Sequence, residues 1–267
     1  MKVAAVIPAR LGSRRFPRKV LARTTGKFLV QHVYERVVKC AGVDRVIVAT
    51  DSTEVRSAAE SFGAEVRMTS ADHASGTDRV AEVAEGLDHD VIINVQGDEP
   101  LLAPDDLSTL LSLFEGDELE PRGLKDGGLK DATRPVVMTT LAVERRDLTG
   151  YRDPNIVKVV IGESRRALYF SRSSVPFGSD ELADEKNSKL AWYQHVGIYA
   201  YRREFLLELA TLPPSPLEGR ERLEQLRVLE AGHEIRVGLS EHAHLGIDTE
   251  EEYACFVEEF ARMERSL

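Results

Sequence analysis

Val3-Ala4-Ala5-Val6-Ile7-Pro8-Ala9-Arg10-Leu11-Gly12-Ser13-Arg14-Arg15-Phe16-Pro17-Arg18-Lys19 joins an unbroken apolar run to a loop crowded with cations. An apolar run without polar alternation reads as a strand buried on both faces. Working outward, Leu29, Val33 and Val37 recur at helical spacing, and Val46–Thr50 reads as a second strand. Thr53–Phe62 reads as a helix stopped by Gly63, Val66–Thr69 as a short strand, and Thr77–Leu87 as a helix. Val91–Val95 is a further apolar strand, followed by a helix over Asp105–Phe114. This alternation predicts an α/β fold with a mostly parallel sheet covered on both faces. Ligands of such sheets sit outside the carboxyl ends of the strands. The loops after Ile7 and Val95 are therefore the places to look for chemistry.

The second half is richer in strand signals, at Val136–Val143, Val157–Ile161, Ala167–Phe170 and Val196–Tyr201. Helices are expected at Arg203–Leu209 and, as one piece, at Leu217–Glu230, then a strand at Ile235–Leu239 and a final helix from Thr249. Glu115–Pro135, rich in Gly, Asp, Glu and Lys, reads as a solvent-exposed insertion. With no internal repeat or low-complexity linker, one continuous domain with a smaller β-rich lobe is expected.

Charge is distributed unevenly. The chain is formally −10, yet its first 43 residues hold ten Lys and Arg against one acid, Glu35. Acidity overall argues against general nucleic-acid affinity; aromatics are only 6%, with no ladder of them beside the cations. A local basic loop after the first strand instead suits a compact polyanion such as a nucleoside triphosphate, held by forked Arg donors, Lys and backbone N–H groups. The loop is neither a Walker A sequence nor a GxGxxG fingerprint. No apolar run approaches a membrane span and Met1 leads directly into the first strand, so a cytoplasmic location is expected. Cys40 and Cys255 show no metal-like spacing.

Four further constellations stand out. Asn94-Val95-Gln96-Gly97-Asp98-Glu99-Pro100 delivers an acid to the sheet's carboxyl edge, where Asp98 suits Mg2+; the same residues also make a good turn. Gly246-Ile247-Asp248-Thr249 precedes the last helix, so Asp248 either faces a metal or, like Thr249, caps the helix with Glu251 or Glu252 closing the box. Ser70 to Arg79 is a small, polar loop before a helix N-terminus, suited to base or phosphate acceptors or simply to capping. Arg172 and His195 could bind a carboxylate and Glu224 with Gln225 hydroxyls, but each taken alone reads first as a surface or satisfied polar residue.

Taken in order, these segments resemble the 3-deoxy-manno-octulosonate cytidylyltransferase (CMP-Kdo synthetase) family. The resemblance rests on IPAR (Ile7–Arg10) with S-x-R-x-P-x-K (Ser13–Lys19), QHVYERV (Gln31–Val37), FGAEV (Phe62–Val66) and MTSADHASGTDRVAEV (Met68–Val83). NVQGDEPL (Asn94–Leu101), DPNIVKVV (Asp153–Val160), ALYFSRSSVPF (Ala167–Phe177), HVGIYAYR (His195–Arg202), LEQLRVLEAG (Leu223–Gly232) and GIDTEEE (Gly246–Glu252) continue it nearly end to end.

What the resemblance implies is a Rossmann-like three-layer α/β/α nucleotidyltransferase fold over 1–267. A nucleotide-binding part would span about 1–135, a sugar-acid and dimerisation lobe about 136–240, and a closing segment 241–267. The activity implied is CMP transfer from CTP to the anomeric hydroxyl of a 3-deoxy sugar acid, Kdo, with pyrophosphate released, in a homodimer serving lipopolysaccharide synthesis. An amino-substituted Kdo or an acylneuraminate is the alternative acceptor, and a catalytically silent nucleotide-binding protein the rival of another class. Asp98 and Asp248 match the pair binding Mg2+, and Arg10 and Lys19 match triphosphate contacts. Ala9, Ser70, Ser75, Gly76 and Gln96 would surround the nucleotide, and Arg15, Arg172, Ser173, His195, Glu224 and Gln225 the sugar acid. One departure is clear: where the family usually reads L-P-G-K-P, this chain has Phe16-Pro17-Arg18-Lys19-Val20, with a cation in place of the glycine.

Overall fold

The computed structural model describes residues 1–13, 15–115, 135–178, 191–242 and 246–265. Arg14 and nearly all of the 115–135 insertion lie outside the described residues. The chain resolves into two compact units, Met1–Ser108 with His244–Leu267, and Thr109–Ala243.

The first unit is built on four parallel strands, β1 (Val3–Pro8), β2 (Arg45–Thr50), β3 (Glu65–Met68) and β4 (Val91–Asn94), in the order β3-β2-β1-β4. The side chains of Val3 to Ile7 and Val91 to Ile93 are all buried, as expected of strands covered on both faces. Helices α1 (Leu29–Val37), α2 (Thr53–Ser61) and α3 (Gly76–Glu85) alternate with them, and α4 (Pro104–Glu115) follows β4. Ser52 Oγ caps α2 by accepting from the Val55 amide, and Gly63, at φ 84°, takes the left-handed turn that ends the segment. Ser75 and Asp78 form a reciprocal capping box on α3, each bond 3.0 Å. The chain passes from β1 to β2 and β3 on one side, then returns to β4 on the other. Strand order thus reverses between β1 and β4, the position where open α/β sheets bind ligands.

The second unit is mainly antiparallel. Its strands are β5 (Met138–Arg145), β6 (Lys158–Ile161), β7 (Ala167–Ser171), β8 (Trp192–Arg202) and β9 (Ile235–Leu239). β5 pairs antiparallel with β8 and parallel with β9, while β6 lies antiparallel to both β7 and β8. A short helix α5 (Leu148–Arg152), absent from the sequence reading, is capped by Asp147 and packs Tyr151 on the buried Trp192, ring centroids 6.0 Å apart. Beyond α6 (Arg203–Leu209), the single helix expected over Leu217–Glu230 is corrected to two: α7 (Pro216–Glu221) and α8 (Gln225–Glu230). The cause is Arg222, which turns left-handed at φ 56° and donates its N–H to Glu218 O. That turn ends α7 with the Glu221 carboxylate directed at β7, where it accepts from Ser171 Oγ and the Arg172 amide.

The last helix, α9 (Glu250–Glu264), belongs to the first unit. Tyr253 and Phe256 pack with Leu29 and Ile247, and His32 of α1 meets the Phe256 and Phe260 rings edge-on at 5.0 and 4.6 Å. This apolar seam fixes the segment that carries Asp248. Among the described residues, no helix is long and apolar enough to cross a membrane.

Candidate active site

At the β1/β4 reversal the first unit encloses a cavity of about 680 Å3. One wall follows β1, with Pro8, Ala9, Arg10, Gly12, Ser13, Arg15 and Lys19; another follows β4, with Gln96, Gly97 and Asp98. Ser75, Gly76 and Arg79 line it from the start of α3, and Asp248 from the turn before α9. The two strand ends approach closely: a Cβ on Gly97 would lie 3.0 Å from the Pro8 carbonyl oxygen. Any side chain there would push apart the two loops that form the cavity floor.

The aspartates, 150 positions apart in number, converge on one cation. Lys19 Nζ pairs with Asp98 Oδ2, and donates to Asp248 Oδ1 and Ile247 O at 2.9 Å each. Arg15 Nη2 takes the other Asp248 oxygen, Oδ2. Burial lowers the Lys19 pKa, but the two carboxylates outweigh it and hold the ammonium above its ordinary value. Asp248 is not consumed by the helix cap. Thr249 Oγ1 accepts from the Glu252 amide while Glu252 Oε2 accepts from the Thr249 and Asp248 amides, so both Asp248 carboxylate oxygens stay turned to the cavity.

Beside Asp98, Glu99 is buried, and burial together with the Asp98 and Asp106 charges pushes its pKa up to about 8. It is therefore protonated at neutral pH and adds no charge to the cation's partners. No group of three or more His, Cys, Asp or Glu side chains gathers as a metal cluster among the described residues. Gln96 Nε2 donates to Asn94 Oδ1 at 3.0 Å, which turns its amide across the cavity beneath Gly76.

Of the sequence-expected residues, Ala9, Arg10, Arg15, Lys19, Ser75, Gly76, Gln96, Asp98 and Asp248 all line this cavity. Ser70 stands outside the lining, its amide donating to Glu82 Oε2 at 2.9 Å; His73 Nε2 meets the same oxygen, so Glu82 ties the whole 70–76 loop to α3. Arg79 was not foreseen. It is buried, bonded to Thr69 Oγ1, and 3.5 Å from Asp51 Oδ1. The available signal was a cation in the first turn of a helix, where the dipole disfavours one. Arg18, where the resemblance predicts a glycine, has φ 61° and ψ 22°. The loop therefore keeps a glycine-type conformation, with Arg18 pairing to Glu54 outside the cavity.

Arg172, Ser173, His195, Glu224 and Gln225 belong to the second unit. Arg172 and Ser173 follow β7, and Glu224 and Gln225 open α8; the Glu221 carboxylate between them bonds to Ser171 and Arg172. His195 lies on β8 against Phe170, centroids 5.0 Å apart, with Nε2 3.0 Å from Thr140 Oγ1. Burial lowers its pKa to about 3, so the ring is neutral. Gln225 is buried and its Nε2 has no hydrogen-bond partner among the described residues.

The cytidylyltransferase family model matches residues 4–235. The chain is 44% identical to the 3-deoxy-manno-octulosonate cytidylyltransferase of Syntrophotalea carbinolica, over 94% of this chain and 96% of that one. It is 47% identical to the protein of that name from Solibacter usitatus, over 94% and 91%. A solved CMP:2-keto-3-deoxy-manno-octonic acid synthetase, in complex with CTP, superposes with a TM-score of 0.84 at 40% identity, covering 100% of both chains.

Proposed function

Because the chain belongs to the 3-deoxy-manno-octulosonate cytidylyltransferase family and has its Rossmann-like nucleotidyltransferase fold, we propose that it transfers CMP from CTP to Kdo. The products are CMP-Kdo and pyrophosphate. The observation that carries this reading is the convergence of Asp98 and Asp248 on Lys19 Nζ in the cavity at the β1/β4 reversal.

In this reading the first unit receives the triphosphate. Arg10 and Lys19 lie on the wall where a polyanion enters, and Lys19 exchanges carboxylate partners for phosphate oxygens as it arrives. Most catalysis in phosphoryl transfer is positioning and charge neutralisation. Arg10 and Lys19 offset the charge that builds on the departing pyrophosphate while the sugar's anomeric oxygen attacks the α-phosphorus in line. Gln96 and the Ser75–Gly76 turn border the nucleotide.

The donor set fits Mg2+. Two carboxylates that already share one ammonium reach a common cation, and Mg2+ typically takes one or two carboxylates with phosphate oxygens and water completing its shell. Asp98 and Asp248 would hold it, and when bound it would supply charge neutralisation at the α-phosphate and a lowered pKa for the attacking hydroxyl. In the second unit, a neutral His195 offers a ring hydrogen bond without charge, leaving the guanidinium of Arg172 to meet the sugar-acid carboxylate. Ser173, Glu224 and Gln225 provide hydroxyl partners. The enzyme in this proposal is a cytoplasmic homodimer supplying lipopolysaccharide assembly, a reading that family membership supports.

The test is CTP and Mg2+ with a panel of Kdo, an amino-substituted Kdo and an acylneuraminate, read by pyrophosphate release and product mass. CMP-Kdo formed in preference to the other products supports the proposal. Absence of pyrophosphate with every acceptor refutes it, and preference for another acid moves the substrate assignment.

A further inference from the structure

Lys158 opens β6 with a side chain fully buried. Its Nζ donates to Asp153 O at 2.9 Å, Ile156 O at 2.7 Å and Arg172 O at 2.8 Å. Three carbonyls match the three hydrogens of an ammonium. Among the described residues no carboxylate lies within hydrogen-bonding distance, so main-chain oxygens are its hydrogen-bond partners, with the Asp153 and Glu221 charges acting from farther off. Burial accordingly lowers its pKa. A buried cation satisfied entirely by main chain holds the shape of the main chain, and its three acceptors show which shape: the 153–156 turn fastened to residue 172.

Residue 172 is gripped again from the opposite direction. Glu221 Oε2 accepts from the Arg172 amide at 2.9 Å, while its Oε1 accepts from Ser171 Oγ at 2.7 Å. Both backbone polar groups of Arg172 thus end on ionisable side chains. The guanidinium is then held by the two segments those side chains fasten. Arg172 Nε donates to Glu221 O at 2.9 Å, and Nη1 to Pro154 O at 3.1 Å, the carbonyl inside the turn that Lys158 closes. Among the described residues Nη2 has no partner, so Nη2 and the second hydrogen of Nη1, which form the outer edge, are left for a ligand. That edge has the fork geometry for a carboxylate.

We propose that Lys158 and Glu221 are positioning residues that preset the Arg172 guanidinium, outer edge outward, for the carboxylate of the acceptor sugar. This rests on the reading of Arg172 as a sugar-acid contact. Neither side chain touches substrate; each acts through Arg172. Presetting matters because a free arginine side chain gives up considerable rotamer freedom when a ligand orders it, and here folding has already ordered it.

The experiment is steady-state kinetics of the full-length enzyme with CTP, Mg2+ and Kdo. The variants are Arg172→Ala, Lys158→Met and Glu221→Gln, with each of the last two also combined with Arg172→Ala. Arg172→Ala is expected to raise the KM for Kdo about tenfold or more, as loss of a charged hydrogen bond does. Lys158→Met and Glu221→Gln are expected to raise the same constant while leaving the KM for CTP unchanged. Each double variant should be no worse than Arg172→Ala alone, because a residue that works through Arg172 has nothing left to position. Losses that multiply in the doubles, or that fall equally on CTP, overturn the inference and make the two residues general scaffolding. Wild-type KM in both single variants, with Arg172→Ala impaired, also overturns it while leaving the sugar-acid reading intact. An unimpaired Arg172→Ala removes that reading and the positioning role together. Should Lys158→Met fail to fold, Glu221→Gln and its double with Arg172→Ala decide the matter by the same criteria.

Discussion

Lys19 and Arg15 of the first unit and Lys158 and Arg172 of the second are held in opposite ways. In the first, Lys19 and Arg15 meet carboxylates, Asp98 and Asp248, across a cavity. In the second, Lys158 and the inner edge of Arg172 meet main-chain carbonyls. A cation facing a movable carboxylate can change partners when a polyanion or a metal arrives. One fastened to carbonyls cannot do so without moving the backbone. The contrast separates working charges from framework charges, and Arg172 is both, fixed on its inner edge and open on its outer one.

The most severe way to break the contrast is to neutralise the exchangeable cation. Lys19→Met should lower kcat/KM by about 10^3, the scale of losing a group aimed at transition-state charge. Circular dichroism should show the fold retained. The same variant leaves two carboxylates facing each other without their shared cation. Mg2+ alone should then raise its melting temperature more than it raises that of the wild type. Equal Mg2+ responses would show that Lys19 does not occupy the cation position between the acids.

A smaller effect comes from buried neutral rings. His32, held at a pKa of about 4 by burial and by the Lys27 charge, is lowered from an ordinary 6.5. The unfolded chain therefore takes up the proton first, and protonation favours unfolding. The stabilising contribution is complete above about pH 6.5 and is lost as pH falls towards 4. It is on the order of 3 kcal/mol. Urea unfolding at pH 7 and pH 4 should show His32→Leu losing less stability with acid than the wild type. An unchanged pH dependence would contradict this. His195, also neutral, keeps a parallel acid sensitivity in the second unit.

The smallest expected effect tests the left-handed residue at the edge of the cation loop. Arg18→Gly relieves about 1 kcal/mol of left-handed strain and gives up an exposed pair with Glu54 worth at most about that much. Stability should change by less than about 1 kcal/mol, with turnover preserved. A large loss of either would mean that Arg18 itself contributes to the working charges.

The contrast also explains what the sequence made legible. β1, β2 and β4 were readable because strands covered on both faces leave continuous apolar runs. Asp98 was readable because such a strand delivers it to the ligand edge. Asp248 was ambiguous because its neighbours are good caps, and only the three-dimensional arrangement shows Thr249 and Glu252 doing the capping. The framework charges were hidden. Lys158 sits in DPNIVKVV, where strand alternation allows an exposed lysine, and its burial depends on carbonyls from a turn and from the residue that follows β7. Helical periodicity ran through Arg222 because a left-handed arginine has no signal of the kind glycine gives. Arg79 was missed for a related reason: its acceptors, Thr69 and Asp51, come from segments that only folding brings to α3.

The claim beneath all of this is that Asp98 and Asp248 form one centre. It is tested by measuring CMP-Kdo formation by Asp98→Asn, Asp248→Asn and the double variant under saturating Mg2+. Each single change should reduce turnover by about 10^2 to 10^3, and the double should be no worse than the more damaged single, as residues acting as a unit behave. Near-normal turnover in either single variant, or losses that multiply in the double, would contradict the account.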